Sequence, residues 1–587
     1  MNQLFPIFLF LSVLAGPLAA QTNLTLTNPV MEALLKGNYA AEDYLPATLI
    51  NHPDDIFEGV QASVSADSLY VYLQALSAFD NRNTGSDTAS TTFGMGAARR
   101  WAFAKMNAFP AAQQGRLEVG YFQFDQDICG MGQHRNVLSV LPGIGPDRDE
   151  IVLIEGHMDS RCADVCDTDC MAHGMEDNGS GTALVLELAR VMSRYAFNRT
   201  LVFMATTGEE QGLFGANAFA EYAEQEGIQI RGVYNNDIVG GIICGATASP
   251  PGCPGLNAID SINVRVYSSN GSVFGASSSR LLARYSRLQY EENIAPIASV
   301  VAQVNIISRE DRAGRGGDHI PFRQRNFPAV RFTSANEHGN GNPSTPDYHD
   351  RQHTIDDVLG IDTNGDGQLD SFFVDFNYLA RNTVLNGGAA AASAMGPASP
   401  TGFELEATPA GVRYAFDDPA GTGLYRLGIR NFESETTYFD TLVTVTNLSD
   451  TLSWLPPGTV YLMSAAAVDS NGIESHFSDE EFANLTTSTQ EIKAYKGLTL
   501  LQNRPNPFDE ATTIGIMVES PVQYRSAFLR IADTQGRELA RYEVTLDPGL
   551  VQVVYGYEHH QYIPGTYYYS LVIDGKAVDT KAMIYAY

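Results

Sequence analysis

The chain has 587 residues, of which 44% are hydrophobic and 18% are charged. This composition is typical of globular proteins and excludes disorder over the whole chain, and the length suggests about four domains at roughly 150 residues each. Asp and Glu number 68 against 37 Lys and Arg, so the net charge is −31. Because a nucleic-acid backbone is also anionic, this charge disfavours nucleic acid as a partner.

The chain opens with a short apolar run. Residues 4–15 (LFPIFLFLSVLA) are too few to cross a bilayer, and small residues up to Ala20 follow them. This order predicts a secretory signal peptide over residues 1–20. No Lys or Arg precedes the run, and a buried apolar terminus is the alternative. No other stretch has 18 apolar residues, so we expect an exported mature chain without a transmembrane segment.

Strand-like and helix-like segments alternate over residues 126–395. Such alternation predicts an α/β fold with a mixed, largely parallel sheet flanked by helices. A closing helix is expected at about 371–394. The region 21–125 is mixed in character, and the sequence leaves open whether it is a cap, a pro-segment or part of the same unit. The clearest strands are NVLSVLPG, EIVLIEGH, TLVFMATT, VYNNDIVG, INVRVYSS and AVRFTSA, and the clearest helices are TALVLELARVMSRYA and GANAFAEYAEQEG.

The remainder of the chain has the patterns of β-structure. Residues 387–402 begin as a helix tail and end as a Gly/Pro/Ser linker. Beyond them, alternating segments separated by Pro and Gly predict a β-sandwich at 403–490. Its VYLMSAAAVDSNG segment resembles fibronectin type III domains. Residues 496–587 are predicted to form a second all-β domain.

Five short segments place metal-binding residue types in the α/β region. In open α/β sheets, ligands collect at the carboxyl ends of strands. Each segment alone has a plain structural alternative, such as a buried histidine or a helix cap, but the adjacent carboxylates Glu209 and Glu210 repel each other unless a cation or proton is shared. Such N/O donors suit zinc. The candidates are His157, Asp159, Asp177, Glu209, Glu210, Asp237 and one of His349 and His353.

The order and wording of these segments resemble metallopeptidase family 28, the secreted aminopeptidases that use two zinc ions. The matching strings are GHMDS, MEDNGSG, TTGEEQGLFGANAFA, YNNDIVG and HTIDDV, and together they cover about residues 130–385. The resemblance implies a secreted zinc-dependent exopeptidase acting on peptide or protein substrates, with aminopeptidase activity preferred. The sequence does not identify the pocket that selects substrate side chains.

The resemblance also implies a role for each candidate residue. His353 is preferred as the late histidine because His353-Thr354-x-x-Asp357 fits one form found in the family, whereas His349 lacks the aspartate expected four residues later. The implied roles are a bridge between two Zn²⁺ ions for Asp177, ligation of one ion by His157 and Asp237 and of the other by Glu210 and His353, general base for Glu209, and orientation of His157 for Asp159.

Other activities on the same fold are open. Carboxypeptidases share this metal set. Glutaminyl cyclases resemble this layout but bind one zinc and depart from the DNGSG wording, which this chain keeps at residues 177–181. A binding or adhesion protein without metal is an alternative of another class. It is disfavoured because Glu209 and all the implied ligands are present.

A separate acidic segment occupies residues 362–370. It reads D-x-N-x-D-G-x-x-D, which places oxygen ligands at alternate positions and Gly in sixth place, as in calcium-binding loops. Position twelve is Phe373 instead of Glu, so the segment resembles the shorter loops of dockerin-type modules. A structural Ca²⁺ site and an Asx-rich turn are both open. The candidate ligands are Asp362, Asn364, Asp366 and Asp370.

Six cysteines are too few for a disulfide-rich scaffold, and they fall into two groups. Cys244 and Cys253 flank a Pro/Gly-rich loop and are expected to pair. The other group lies near His157 and fits either a metal cluster or, in an exported chain, disulfides whose connectivity the sequence does not give. Its members are Cys162, Cys166 and Cys170, with Cys129 as a further partner.

The end of the chain resembles a type IX secretion sorting domain. The resemblance rests on four segments: LQNRPNPF at residues 501–508, the following TTI, IADTQGRELA and PGTYYYSLVIDGK. The resemblance covers residues 496–587 and implies a Gram-negative host of the Bacteroidota type. It further implies passage through the periplasm, recognition by the type IX secretion machinery, and release from or attachment to the cell surface. A β-sandwich that binds substrate or carbohydrate is the alternative.

Overall fold

The computed structural model describes residues 21–585 except 246–249, 271–274, 313–314, 337–350, 433, 435, 458, 486–496, 509–510, 534–536 and 557–564. These residues form two compact units, each described on its own. The first extends to Tyr267 and adds Leu288–Asn305 and Asp311–Met395, and the second consists of Ser268–Arg287, Ile306–Glu310 and the chain from Gly396 onward. None of the described helices is long and apolar enough to cross a membrane.

A nine-stranded mixed sheet forms the centre of the first unit. Its strands are β1 (Thr22–Leu26), β2 (Glu118–Ile128), β3 (Met131–Leu141), β4 (Glu150–His157), β5 (Thr200–Thr206), β6 (Gln229–Asn236), β7 (Asn263–Tyr267), β8 (Gln303–Ile306) and β9 (Ala329–Ser334). Their order is β1-β2-β3-β5-β4-β6-β9-β7-β8. The central strands β5, β4, β6 and β9 run parallel, whereas β1, β2, β3 and β7 pair antiparallel.

Helices cover both faces of this sheet. Leu153, Val202 and Val233 point to the face covered by α1, α7 and α9, and α6 and α10 pack on the other face with α2 and α3 outside them. The described helices of both units are α1 (Val30–Leu35), α2 (Pro53–Ser63), α3 (Ala66–Ser77), α4 (Gly94–Asn107), α5 (Pro110–Gln113), α6 (Ser180–Met192), α7 (Phe214–Glu226), α8 (Ser278–Gln289), α9 (His319–Gln324) and α10 (Phe376–Met395), with short 3₁₀ or π turns at Ala41–Tyr44, Met175–Gly179, Tyr290–Ile294 and Ala295–Ile297.

The predicted fold class is confirmed, with the parallel pairing concentrated in the four central strands. Strands β1 and β2 and helices α1 to α5, which come from the region of mixed sequence character, are built into the first unit. The closing helix begins at Phe376 instead of about 371. The reason is that Ser371 and Phe372 pair with the chain before the acidic segment, forming the hairpin of β10 (Gly360–Ile361) and β11 (Ser371–Phe372).

The second unit contains two β-sandwiches and most of α8. In the first sandwich, β12 (Thr401–Thr408), β13 (Gly411–Asp417) and β16 (Ser449–Leu452) face β14 (Tyr425–Asn431), β15 (Thr441–Val445), β17 (Val460–Ala467) and β18 (Glu481–Asn484) across a shared core. In the second, β19 (Leu498–Leu500), β20 (Ala511–Val518) and β23 (Gly549–Gly556) face β21 (Ala527–Ala532), β22 (Glu538–Glu543), β24 (Gly565–Ile573) and β25 (Lys576–Tyr585) across another.

A buried ion cluster ties α8 to the first sandwich. Glu480 accepts hydrogen bonds from Nη1 of Arg284 on α8 (2.7 Å) and from Nε and Nη2 of Arg430 on β14 (2.8 and 2.7 Å). The backbone N–H of Ala276 donates a further one at 2.8 Å. Burial opposes the ionisation of Glu480, but the two arginines hold its pKa at about 2. Ala276 and α8 therefore pack with the sandwich, although in sequence they lie within the α/β region.

Glu480→Gln is expected to destabilise the second unit by about 3 kcal/mol, because removing one charge of a buried cluster leaves the others uncompensated. The pKa of Glu480 in the folded chain lies below its usual value of 4.5. Its contribution to the free energy of unfolding is therefore complete above about pH 4.5 and is lost as the pH falls toward 2. Calorimetric unfolding of the full chain measures both effects. Glu406→Gln is the control: Glu406 pairs with Arg413 in an exposed position, so its replacement should cost less than about 1 kcal/mol. Equal losses in the two variants would contradict this assignment.

Candidate metal centre

The candidate residues meet at the carboxyl edge of the parallel strands. His157 is the last residue of β4, and Asp237 directly follows the last residue of β6. Because β4 pairs in parallel with β5 and with β6, the carboxyl ends of the three strands lie side by side. The other members come from the turn after β5 (Glu209 and Glu210), the turn before α6 (Asp177) and the chain after β9 (His353).

One group of donors surrounds His157. Its Nε2 lies 3.2 Å from Oδ1 of Asp177, 3.6 Å from Oδ1 of Asp237 and 3.9 Å from Oε2 of Glu209. His157 is fully buried, and the two aspartates are almost so. Ligands held about 2.0–2.1 Å from a tetrahedral zinc ion lie about 3.3 Å apart. Nε2 of His157 lies at about this spacing from Oδ1 of Asp177 and slightly farther from Oδ1 of Asp237.

A second group surrounds His353. Its Nε2 lies 3.1 Å from Oδ2 of Asp177 and 3.1 Å from Oε2 of Glu210. Asp177 is thus shared, with one oxygen facing each histidine. Burial opposes the ionisation of Asp177, but the imidazoles of His157 and His353 hold its pKa well below its usual range.

The donor atoms around His157 and His353 fit a cation. Nε2 of His157 makes no hydrogen bond, and the same is true of the buried Oε1 atom of Glu210. Several carboxylates crowded into one buried site repel each other unless a cation lies among them. Imidazole nitrogen with carboxylate oxygen is a donor set that suits zinc. His157, Asp177, Asp237, Glu210 and His353 could hold such an ion or a pair of ions.

Glu209 stands beside the first group. Burial raises the pKa of its carboxyl group well above its usual range, the neighbouring Asp237 and Glu210 raise it further, and His157 opposes them. A carboxyl group in these surroundings takes up a proton more readily than an exposed one. Its carboxylate therefore has the surroundings of a proton acceptor beside the donors of His157.

Asp159 was expected to orient His157, and its nearest contact with His157 is made by the backbone carbonyl instead of the carboxylate. Nδ1 of His157 lies 3.1 Å from the backbone carbonyl oxygen of Asp159 and 3.6 Å from its Oδ1. The carboxylate instead accepts hydrogen bonds from the backbone N–H groups of Glu210 (3.1 Å) and Glu209 (3.4 Å). Asp159 thus orients His157 through its backbone and fixes the turn after β5 through its side chain.

Asp357 fixes the segment that carries the shared aspartate. Its carboxylate accepts hydrogen bonds from the backbone N–H groups of Glu176 (2.9 Å) and Asp177 (3.0 Å). Because Asp357 lies four residues after His353, it ties the chain of His353 to the chain of Asp177. Asp357 is the last residue of the His-Thr-x-x-Asp motif, but the motif alone does not indicate this contact.

Arg161 joins two members of the second group and was not predicted from the sequence. Its Nε donates to Oε2 of Glu210 at 2.8 Å, and its Nη2 lies 2.7 Å from Nδ1 of His353. Arg161 therefore fixes the positions of both side chains. It directly follows the GHMDS string, and no pattern distinguishes it from a solvated arginine.

Arg331 on β9 was also missed. It is fully buried, and its Nη2 lies 3.1 Å from Oδ2 of Asp237 while its Nη1 lies 2.7 Å from Oδ1 of Asp311. This ion pair leaves Oδ1 of Asp237 to face His157. Burial opposes the ionisation of Asp237, but Arg331 and then His157 hold its pKa below its usual range. A charged residue inside the apolar strand AVRFTSA is the signal that could have revealed it.

Arg331→Lys is expected to weaken zinc binding about 10- to 100-fold, because an ammonium group cannot reproduce the fork that holds two carboxylates. Competition with a chelator of known zinc affinity measures the change. Arg199→Lys is the matched control, since Arg199 is also buried and also bridges two carboxylates, those of Asp147 and Glu150. Arg199 directly precedes β5, at the opposite end of the strand from the candidate metal centre. If both variants lost affinity equally, the effect would be general destabilisation.

The acidic segment 362–370 forms an exposed loop between β10 and β11. Asp362 accepts hydrogen bonds from the backbone N–H groups of Gly365 (2.7 Å) and Gly367 (2.8 Å), and Asp370 accepts one from that of Thr363 (2.7 Å). Hydrogen bonds from the loop lower the pKa of both aspartates. Asn364 and Asp366 each accept one loop N–H as well.

All six cysteines form disulfides, and His349 lies outside the described residues. The bonds join Cys129 to Cys166, Cys162 to Cys170, and Cys244 to Cys253. No cysteine is therefore free to bind a metal, and the group near His157 is a pair of disulfides.

Comparison with known proteins identifies relatives of the chain. The pattern of Peptidase family M28 matches residues 136–249. A probable zinc metalloprotease of Leptosphaeria maculans is 30% identical over 365 residues, which cover 61% of this chain and 80% of the relative. A probable zinc metalloprotease of Pyricularia oryzae is 33% identical over 365 residues, which cover 59% and 67%. Among solved structures, the LapA aminopeptidase of Legionella pneumophila matches with 18% identity and a TM-score of 0.41 over 59% of this chain and 76% of that chain. The two metalloproteases are matched over two thirds or more of their length, and the chain belongs to Peptidase family M28.

Proposed function

We propose that the chain is a secreted zinc-dependent exopeptidase of the aminopeptidase type, acting on peptide or protein substrates. The observation that carries the proposal is the shared carboxylate of Asp177, with one oxygen 3.2 Å from the imidazole of His157 and the other 3.1 Å from that of His353. In this proposal His157, Asp177 and Asp237 hold one Zn²⁺, and Asp177, Glu210 and His353 hold a second.

The chain's own residues supply proton transfer and positioning. When bound, zinc lowers the pKa of water and polarises a carbonyl group. The Glu209 carboxylate accepts a proton from the attacking water and delivers it to the nitrogen of the leaving amine. Asp159 fixes the turn that carries Glu209, and Arg331 fixes the oxygen of Asp237 that faces His157.

The test compares two chromogenic substrates, leucine p-nitroanilide and its N-acetylated form. An aminopeptidase is expected to cleave only the substrate with a free α-amine, to lose activity on treatment with 1,10-phenanthroline, and to regain it with zinc. Zinc content per chain, measured on the same samples, distinguishes a two-ion from a one-ion site. A content of one would contradict the shared role of Asp177.

Other outcomes select the alternatives. Cleavage of C-terminal residues from N-blocked peptides would indicate a carboxypeptidase, and cyclisation of N-terminal glutamine would indicate a glutaminyl cyclase. A chain that binds no zinc and cleaves none of these substrates would be a binding or adhesion protein.

We further propose the domain roles that the sequence predicts. Residues 1–20 direct export, 126–395 form the peptidase domain, 403–490 a fibronectin type III-like domain, and 496–587 a sorting domain for type IX secretion. The support is the apolar run with small residues after it and the LQNRPNPF string. Deleting 496–587 in a Bacteroidota host should leave the chain in the periplasm, and release of the truncated chain would contradict the sorting role.

The loop at residues 362–370 is proposed to bind Ca²⁺ through Asp362, Asn364, Asp366 and Asp370. Its support is the spacing of four oxygen donors in a loop closed by the β10–β11 hairpin. Calcium at 10 to 100 times its Kd is expected to stabilise the first unit by about 2 kcal/mol, measured as a rise in Tm. Asp366→Asn should abolish the rise, and an equal rise with Mg²⁺ would contradict a calcium loop.

A further inference from the structure

A cavity of about 860 Å³ opens in the first unit, away from the metal-binding cluster. Asp177 precedes the start of α6, whereas Arg190 on the last turn of α6 and Arg194 after its end line the cavity. A helix of 13 residues is about 20 Å long, so the cavity is separate from the proposed catalytic site. Its volume is in the range of about 300–1,000 Å³ that small-molecule sites occupy. Nothing in the proposed function uses it.

Cations without carboxylate partners surround this cavity. Among the described residues, Lys105, Arg116 and Arg194 have no carboxylate oxygen within 4 Å. Arg116 donates to three backbone carbonyls, Arg194 donates to the hydroxyl of Ser63 at 2.9 Å, and Nζ of Lys105 lies 5.0 Å from the ring centroid of Tyr72. In a chain with a net charge of −31, this local excess of positive charge favours an anionic ligand.

The rest of the lining combines apolar and polar groups with one carboxylate, that of Asp67. Ile50, Val71 and Phe109 contribute apolar surface, and Val71 is 51% exposed. Thr48 and Gln114 contribute hydrogen-bonding groups on the same walls. An alkyl chain would cover such polar groups without replacing their hydrogen bonds to water. A peptide offers both apolar side chains and hydrogen-bonding amides, so the lining suits a peptide better than a fatty acid.

We propose that this cavity binds the C-terminal end of a peptide. Lys105 and Arg194 contact the terminal carboxylate, since both have donors that no carboxylate of the described chain occupies. The C-terminal side chain is apolar and packs against Val71 and Phe109. The site would hold peptides independently of their hydrolysis, so the proposal does not rest on the catalytic mechanism.

Trp101 provides a local signal for the test. It lies on α4 four residues before Lys105, and its ring centroid is 6.4 Å from that of Tyr72, which lines the cavity. The other tryptophan, Trp454, is exposed in the second unit, and Trp454→Phe removes its signal. The full chain with Trp454→Phe and Glu209→Gln is titrated with N-acetyl-Leu-Phe and, separately, with its C-terminal amide. The expected result is a saturable change of Trp101 fluorescence, with binding of the acid at least about 10-fold tighter than that of the amide.

Two variants locate the effect. Lys105→Gln with Arg194→Gln is expected to abolish the difference between acid and amide. The matched control is Lys576→Gln, which removes an exposed cation of the second unit and should leave the difference intact. Equal binding of acid and amide by the parent chain would overturn the proposal. So would the absence of a fluorescence change at millimolar peptide, or a change produced by decanoate and not by the peptide.

Discussion

Glu209→Gln is expected to lower kcat for leucine p-nitroanilide about 10³-fold while the zinc content stays that of the parent chain. The amide has nearly the shape of the carboxylate but cannot accept the proton of the attacking water, and general-base catalysis contributes about 10²- to 10⁴-fold. The structure places Oε2 of Glu209 3.9 Å from Nε2 of His157, farther than the oxygens of Asp177 and Asp237. Steady-state kinetics and metal analysis of the same preparation measure the two quantities.

The adjacent residue supplies the matched comparison. Glu210 has Oε2 3.1 Å from Nε2 of His353, so Glu210→Gln should lower zinc content together with activity. Glu224→Gln, at an exposed position on α7, should change neither. Loss of zinc from Glu209→Gln would make Glu209 a ligand, and full activity in that variant would assign the base to another group. The pair of neighbouring glutamates thus separates proton transfer from metal binding.

The residues of the candidate metal centre could be predicted because each stands where a strand or helix begins or ends. His157, Glu209 and Asp237 follow runs of apolar residues that form central strands, and parallel strands bring their carboxyl ends to one edge. Local sequence therefore determines where these side chains lie. The same reasoning predicted the α/β fold class, and the resemblance to the family is confirmed.

The residues that fix these side chains in position could not be predicted in this way. Arg331, Asp357 and Arg161 act through partners that lie far away in sequence, so their roles depend on tertiary contacts. Arg331 pairs with Asp237 across neighbouring strands, and Asp357 accepts from a turn 180 residues earlier. A single sequence records the residue type at such positions but not the contact.

Helix α8 shows the same limit at the level of domains. Its residues lie within the range 126–395, which the sequence predicts to be one α/β domain. The structure instead pairs Arg284 of α8 with Glu480, 196 residues later, in a buried cluster. No feature of the sequence indicates that Glu480 pairs with Arg284. The assignment of α8 to the second unit therefore could not be inferred from composition.

Asp177→Asn is expected to remove most of the bound zinc and to lower kcat/KM at least about 10³-fold. One carboxylate oxygen faces His157 and the other faces His353, so the substitution affects both donor groups at once. An amide has one acceptor oxygen and no charge, and it cannot serve two cations. Metal analysis after dialysis and hydrolysis of leucine p-nitroanilide measure the two losses.

The neighbouring residue distinguishes loss of a bridge from general disruption. Glu176→Gln changes the same turn, but the side chain of Glu176 accepts a hydrogen bond from the amide of Asn336 at 2.9 Å, so zinc content should persist. If Asp177→Asn lost one ion and kept the other at full affinity, the carboxylate would serve one histidine only. The result expected for a shared carboxylate is that Asp177→Asn loses both ions while Glu176→Gln retains both. The size of the loss thus reports how far this centre works as a single two-ion site.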